Sequence, residues 1–160
     1  MSPRVDTSMS ASEIRSFLEE PRTGVLSTLD RHGAPHAAGM WFALSGTDVL
    51  MWTYAKSQKA VNVRRDPRVA FLVEHGDTYN SLKGVLVRGR ARIVVDLASL
   101  ISIGRALYER YTLPRTGIPV EEGPVVEIER QATKRIGVAL GLTEVASWDH
   151  SKLSLQRRDA

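Results

Sequence analysis

Lys56-Ser57-Gln58-Lys59 puts two lysines, a hydroxyl and an amide within four residues, directly after the β-rich run Val49-Leu50-Met51-Trp52-Thr53. Ser57 is a helix-capping residue type. Ala60, Val61 and Val63 then form an apolar side, and Asp66-Pro67 ends the segment, so a short helix is predicted here. Its first turn would aim free backbone N–H groups and the positive end of the helix dipole at the space beside Lys56 and Lys59, which suits a phosphate. Lys59 is the main cationic ligand in this reading; the plainer alternative is a solvated helix end with lysines nearby. The surrounding charge favours an anion. From residue 56 to 92 the cations are Lys56, Lys59, Arg64, Arg65, Arg68, Lys83, Arg88, Arg90 and Arg92, against only Asp66, Glu74 and Asp77. That excess is larger than the net charge of +4 on all 160 residues.

Other chemistries find little support. There is no cysteine, and His32, His36, His75 and His150 show no paired ligand spacing, so no metal site is expected. No serine-histidine-carboxylate set, paired carboxylates or Walker-type loop is evident, which leaves hydrolase and phosphoryl-transfer readings without residues to carry them. The basic balance comes without a nucleic-acid motif, and the one helix with tyrosines lacks a basic face for a membrane surface, so neither partner is expected. The start of the chain has no signal-peptide character and no run is long enough to span a bilayer, which predicts a cytoplasmic protein. Apolar residues at 42% and charged residues at 25% fit an ordinary soluble core. The length suits one domain over 1–160, read as a core over 10–145 and a polar tail over 146–160.

The elements that must position these residues follow from periodicity. A short helix is predicted around Ser12–Leu18, and a hairpin from Thr23–Leu29 and Pro35–Leu44 across the turn Asp30-Arg31-His32-Gly33. Ser45-Gly46-Thr47-Asp48 turns into the strand ending at Thr53. After the Ser57 helix come a strand at Arg68–Val73, a turn at His75-Gly76-Asp77, and a long strand over Val85–Val95 in which Gly89 would allow a bulge. The 3.6-residue period returns over Leu97–Tyr111; Thr112–Glu122 reads as a loop, and Val125–Glu129 and Lys134–Ala139 read as the last strands. The sum is a mainly β, α+β fold: a closed or nearly closed antiparallel barrel with peripheral helices.

The ordered run Gly24-Val25-Leu26-Ser27-Thr28, Asp30 to His36, Trp52-Thr53, Ser57-Gln58-Lys59-Ala60, Asn62 and Arg65-Asp66-Pro67-Arg68-Val69-Ala70 resembles the pyridoxamine 5'-phosphate oxidase-like, flavin-binding split-barrel superfamily. The resemblance implies a six-stranded antiparallel split β-barrel and a homodimer whose cofactor sites lie in clefts between the subunits. Residue by residue, it implies Trp52 and Thr53 at a strand end beside the cofactor, the segment Lys56-Ser57-Gln58-Lys59 at its phosphate, and Asn62 among the cofactor-binding residues. It also implies Ala38, Gly39, Met40 and Trp41 along its ring system. Trp41 and Trp52 are then either ring neighbours or core residues. His36 is either a proton donor or an ordinary strand histidine, and His32 is a turn residue. Tyr79 would reach a partner subunit's cofactor or serve the interface, and Arg88, Arg90 and Arg92, on one face of a strand, would form a tail-binding row or an exposed face.

The sequence departs from the FMN-dependent oxidases where they place an arginine and a lysine on the phosphate: here stand Ala38 and Ala43. In this it resembles the actinobacterial branch that uses coenzyme F420, a deazaflavin with a phosphate and an oligoglutamate tail, and the ending Val145–Leu153 resembles tails in that branch. The resemblance implies an F420H2-dependent reductase passing hydride to a small unsaturated or conjugated substrate. The alternatives are an FMN enzyme of the oxidase type and a non-catalytic flavin or deazaflavin carrier.

Overall fold

A computed structural model describes residues 6–155. Ser10 caps the first helix, α1 (Ala11–Glu19): its side chain accepts from the Glu13 N–H, and the Glu13 carboxylate takes the Ser10 N–H at 2.7 Å. This reciprocal pairing satisfies two donors that the helix start leaves open, and it turns Phe17 and Leu18 into the core. The strands β1 (Gly24–Leu29) and β2 (Pro35–Met40) pair in register from Gly24 opposite Met40 to Leu29 opposite Pro35. Asp30 builds their turn by accepting from the N–H groups of His32 (2.8 Å) and Ala34 (2.9 Å), and the bonds from Ala34 and His32 hold its carboxyl below the usual range. Gly33 closes the turn at φ +81°, where a Cβ would be strained.

The chain continues through β3 (Ala43–Ser45), β4 (Asp48–Tyr54), α2 (Gln58–Arg65), β5 (Arg68–His75), β6 (Lys83–Arg90) and β7 (Arg92–Val94). Then follow α3 (Leu97–Tyr111), α4 (Leu113–Thr116), α5 (Pro124–Ala132), β8 (Arg135–Gly141), β9 (Glu144–Asp149) and α6 (Lys152–Leu155). The nine strands form two antiparallel sheets, in the orders β2-β1-β5-β6-β9 and β3-β4-β8-β7. Alternate residues of both face one core: Leu26, Phe71, Val85 and Val87 from the first sheet meet Val49, Met51, Ile136, Val138 and Leu140 from the second.

Several expectations are corrected here. Among the described residues the sheets are not hydrogen-bonded into a closed barrel, and there are nine strands rather than six. Two expected strands break and change sheets, which the alternation of apolar residues does not signal. Pro35–Leu44 breaks at Trp41-Phe42: Phe42 is fully buried edge-on against Phe71, while Trp41 stacks on Tyr111 with centroids 4.7 Å apart. The Tyr111 hydroxyl accepts from the Phe42 N–H and holds the break in place. Val85–Val95 breaks at Ala91 instead of Gly89, because the Ala91 N–H turns to the Pro67 carbonyl (2.8 Å), while Gly89 stays in the ladder opposite Val69. Val125–Glu129 is helical within α5. Pro124 sits at its start, Ile128 and Ala132 are buried one turn apart, and Glu127 bonds Arg130 and Gln131, so helical packing overrides the strand preference of Val125-Val126. The expected loop over Thr112–Glu122 contains α4 and a 3-10 turn, Val120–Glu122.

The boundary expected at 145/146 falls inside β9, which pairs with β6 from Lys83 opposite Asp149 to Arg88 opposite Glu144. Asp149 bonds Lys83 (2.9 Å) and the Ser151 hydroxyl (2.6 Å), and His150 packs on Tyr79. The stretch read as a tail is thus, through Asp149, a sheet strand with a folded turn after it. Residues 156–160 of that stretch lie outside the described residues. Among the described residues no helix is long and apolar enough to cross a membrane.

Candidate functional site

Of the eleven residues expected at a cofactor, Thr53, Lys56, Ser57, Gln58 and Lys59 gather at the start of α2, Gly39, Met40, Trp41 and Trp52 line a cavity, and Ala38 and Asn62 join neither set. On β4, Val49, Met51 and Thr53 point into the core, while Leu50, Trp52 and Tyr54 point to the outer face, over which α3 lies. Trp52 and Thr53 therefore serve different places although they are neighbours in sequence.

Thr53, buried to 4% exposure, meets the Ser57 hydroxyl at 3.1 Å. Ser57 is the N-cap of α2, accepting from the Ala60 N–H, and no acidic residue lies in the first turn. Lys56 is exposed and Lys59 half-buried, and neither forms an ion pair or side-chain hydrogen bond among the described residues. Most of the other cations in the basic stretch are committed: Arg68 to Asp66, Lys83 to Asp149, Arg88 to Glu144 and Arg92 to Asp48. Arg64 and Arg65 bond the carbonyls of Ala55 and Leu29. The row expected from Arg88, Arg90 and Arg92 is divided. Arg88 and Arg90 line a cavity with Arg68 on the five-stranded sheet, whereas Arg92 lies past the Ala91 break and lines another with Asp48.

Asn62, expected to touch the cofactor, and Val61, expected on the buried side of α2, exchange places: Val61 is 45% exposed and Asn62 is fully buried. Its amide donates to the Thr28 hydroxyl (3.0 Å) and its carbonyl accepts from Gln58 (2.8 Å), so it fastens α2 to β1. Asn62→Ala should cost about 1–3 kcal/mol of stability by leaving buried polar groups unpaired, read as a lowered urea midpoint with unchanged m-value.

The second group lines a cavity of about 570 Å³ on the outer face. Gly39, Met40 and Trp41 at the end of β2 and Trp52 on β4 form one side; Gly104, Leu107 and Tyr108 of α3, Ile128 and Gln131 of α5, and Arg135 of β8 form much of the rest. Gly104 lets α3 approach closely, since a Cβ there would lie 2.6 Å from the Trp52 ring. Sequence reasoning missed the residues from α3, α5 and β8. The signal for the helix was present in Gly123-Pro124 and in Glu127 spaced for Arg130 and Gln131; Arg135 becomes visible only once β8 is paired with β4.

Ala38 is half-buried opposite Leu26 on β2. Ala43, the other position without a cation, is buried with Ile103 and Leu107 beneath α3. His36 does not line the Trp41–Trp52 cavity; it lines a separate one with Asp30, Gln58 and Arg65, and its Nδ1 is buried without a partner among the described residues. Tyr79 is exposed, its ring against His150. Among the described residues no three His, Asp or Glu side chains gather as a metal site.

The chain belongs to the pyridoxamine 5'-phosphate oxidase family, whose model matches residues 10–139. Among solved structures it is similar to the conserved hypothetical protein Rv2991 from Mycobacterium tuberculosis, 44% identical with a TM-score of 0.84 over 96% of this chain and 93% of that one. It is also similar to an F420 reductase, 28% identical with a TM-score of 0.61 over 82% of this chain and 94% of that one. A FAD-binding protein from Mesorhizobium loti, 18% identical with a TM-score of 0.63 over 88% of this chain and 94% of that one, shares the fold. No curated protein matches the chain significantly.

Proposed function

We propose that this protein is an F420H2-dependent reductase acting on a small conjugated substrate. The observation that carries the reading is the start of α2. Lys59 stands in the first turn, where the helix dipole disfavours a cation, and neither it nor Lys56 has an acidic partner among the described residues. An anionic ligand would turn that local cost into attraction. Lys56, Ser57, Gln58 and Lys59 would hold the cofactor phosphate, and Gly39, Met40, Trp41 and Trp52 would flank the ring.

Preference for the deazaflavin over FMN is supported by Ala38 and Ala43. Each missing cationic contact is worth about 1.5–3 kcal/mol, and Ala43 is packed among apolar side chains. The similarity to an F420 reductase points the same way. When bound, reduced F420 supplies a hydride, and the acceptor takes that hydride with one proton. The protein's part is to fix the ring and acceptor against each other and to exclude water within the walls formed by α3 and α5.

A second copy of the chain would complete the cleft. Its natural seat is the outer face of the five-stranded sheet, where Val25, Ala37, Gly39, Leu72, Leu86 and Ala146 share one side and Val25 is 38% exposed. The test of activity is anaerobic mixing of the F420H2-loaded protein with a panel of conjugated acceptors, watching for return of the oxidised deazaflavin absorbance. Turnover with any acceptor supports the reductase; binding without turnover across the panel would make the protein a carrier.

A further inference from the structure

We infer that Arg135 is an anion anchor in the Trp41–Trp52 cavity and that the acceptor is a planar conjugated compound bearing a carboxylate. This rests on the reductase reading only in calling the ligand an acceptor. Antiparallel pairing sets Arg135 directly opposite Tyr54 and diagonal to Trp52 on the outer face of β4 and β8. Its guanidinium carbon lies 4.2 Å from the Tyr54 ring centroid and 4.6 Å from that of Trp52, so the cation sits over two aromatic rings at the cavity wall.

Its charge has no carboxylate partner among the described residues. Gln131 Oε1 accepts from Arg135 Nη2 at 2.7 Å, and Gln131 in turn donates to Glu127 Oε1 at 2.7 Å. Glu127, the acidic residue of the same cavity, is itself paired with Arg130 (2.6 Å). The chain of contacts thus aims the guanidinium without neutralising it. Its Nε is buried without a partner, and burial lowers its pKa from the ordinary arginine value, yet arginine stays charged under any physiological condition. One oriented cation without a carboxylate partner, in a cavity whose apolar wall is Met40, Trp41, Trp52, Leu107 and Ile128 and whose one carboxylate, Glu127, is taken by Arg130, matches a ligand with an apolar conjugated body and one carboxylate.

Calorimetric titration of the cofactor-free protein with trans-cinnamate and with its methyl ester tests this, the two probes differing in charge but hardly in shape. The wild type should bind the acid at least roughly tenfold more tightly than the ester. Arg135→Gln should erase that preference, and Arg135→Lys should keep part of it. The acid-to-ester comparison on the wild type stands alone if a variant does not fold. Equal binding of the two probes, binding of neither, or a preference that survives in Arg135→Gln would overturn the anchor. So would an Arg135→Gln protein that loses F420 affinity while the wild type never separates acid from ester, since the cation would then serve the cofactor. Because no cofactor is present, an acid preference in a protein that fails to bind F420 would sink the reductase reading and leave the anchor standing.

Discussion

Lys59→Ala should weaken coenzyme F420 binding by about ten- to a hundredfold and leave the melting temperature unchanged or slightly raised. The loss follows from removing one charge-assisted contact, about 1.5–3 kcal/mol, at a helix start where the ligand's phosphate would also meet free backbone N–H groups. The unchanged stability follows from where the lysine stands. Lys59 makes no ion pair or side-chain hydrogen bond among the described residues, and in the first turn of α2 it opposes the helix dipole. Alanine also favours the helix. Lys59→Arg, which keeps the charge, should retain most of the affinity. Binding and melting are read on the same preparation, F420 binding by tryptophan quenching and melting by circular dichroism. A variant that binds F420 like the wild type, or one that unfolds, would remove Lys59 from the site.

Gly104→Val should lower the melting temperature by roughly 4–10 °C and close the cavity to ligands. A Cβ at Gly104 would lie 2.6 Å from Trp52 and 2.7 Å from Ile128, and neither can yield freely: Trp52 has Arg135 on its ring, and Ile128 is buried in α5. Overpacking of this kind typically costs 1–3 kcal/mol. The displaced indole would fill space that a ligand needs and would break the stack that orients Arg135. Differential scanning calorimetry gives the first effect and titration with trans-cinnamate the second. A variant melting like the wild type with ligand binding intact would show that the helix α3 does not press on Trp52 as described.

What the sequence made legible was local. The cap chemistry of Ser57, the turn chemistry of Asp30 to Gly33 and the caps of the helices depend on neighbours a few residues away, so the start of α2 could be placed before any tertiary contact was known. The family resemblance lay in the same short motifs, and it led to Trp52 and to the end of β2. What was not legible depended on packing. Val125-Val126 reads as strand by residue type, but α5 is helical because Ile128 and Ala132 find a buried side against the rest of the fold. With that helix misread, Gln131 and Ile128 could not be seen at the site, and Arg135 needed the β4–β8 register to bring it over Trp52. Asn62 shows the reverse error: a polar residue amid ligand-like neighbours looked like a ligand contact, yet its burial against Thr28 makes it a fastening. The breaks at Trp41-Phe42 and Ala91 were likewise set by a tyrosine and a proline carbonyl distant in sequence.

The measurement that bears most directly on the central claim is a paired titration of the cofactor-stripped protein with coenzyme F420 and with FMN at physiological salt, followed by quenching of tryptophan fluorescence. Trp41 and Trp52 line the cavity beside the proposed ring position, so binding there should register strongly. The account predicts micromolar or tighter binding of F420 with FMN much weaker, as expected where Ala38 and Ala43 supply no cation. Tight FMN binding with weak F420 binding would contradict it and make the protein an FMN enzyme of the same family.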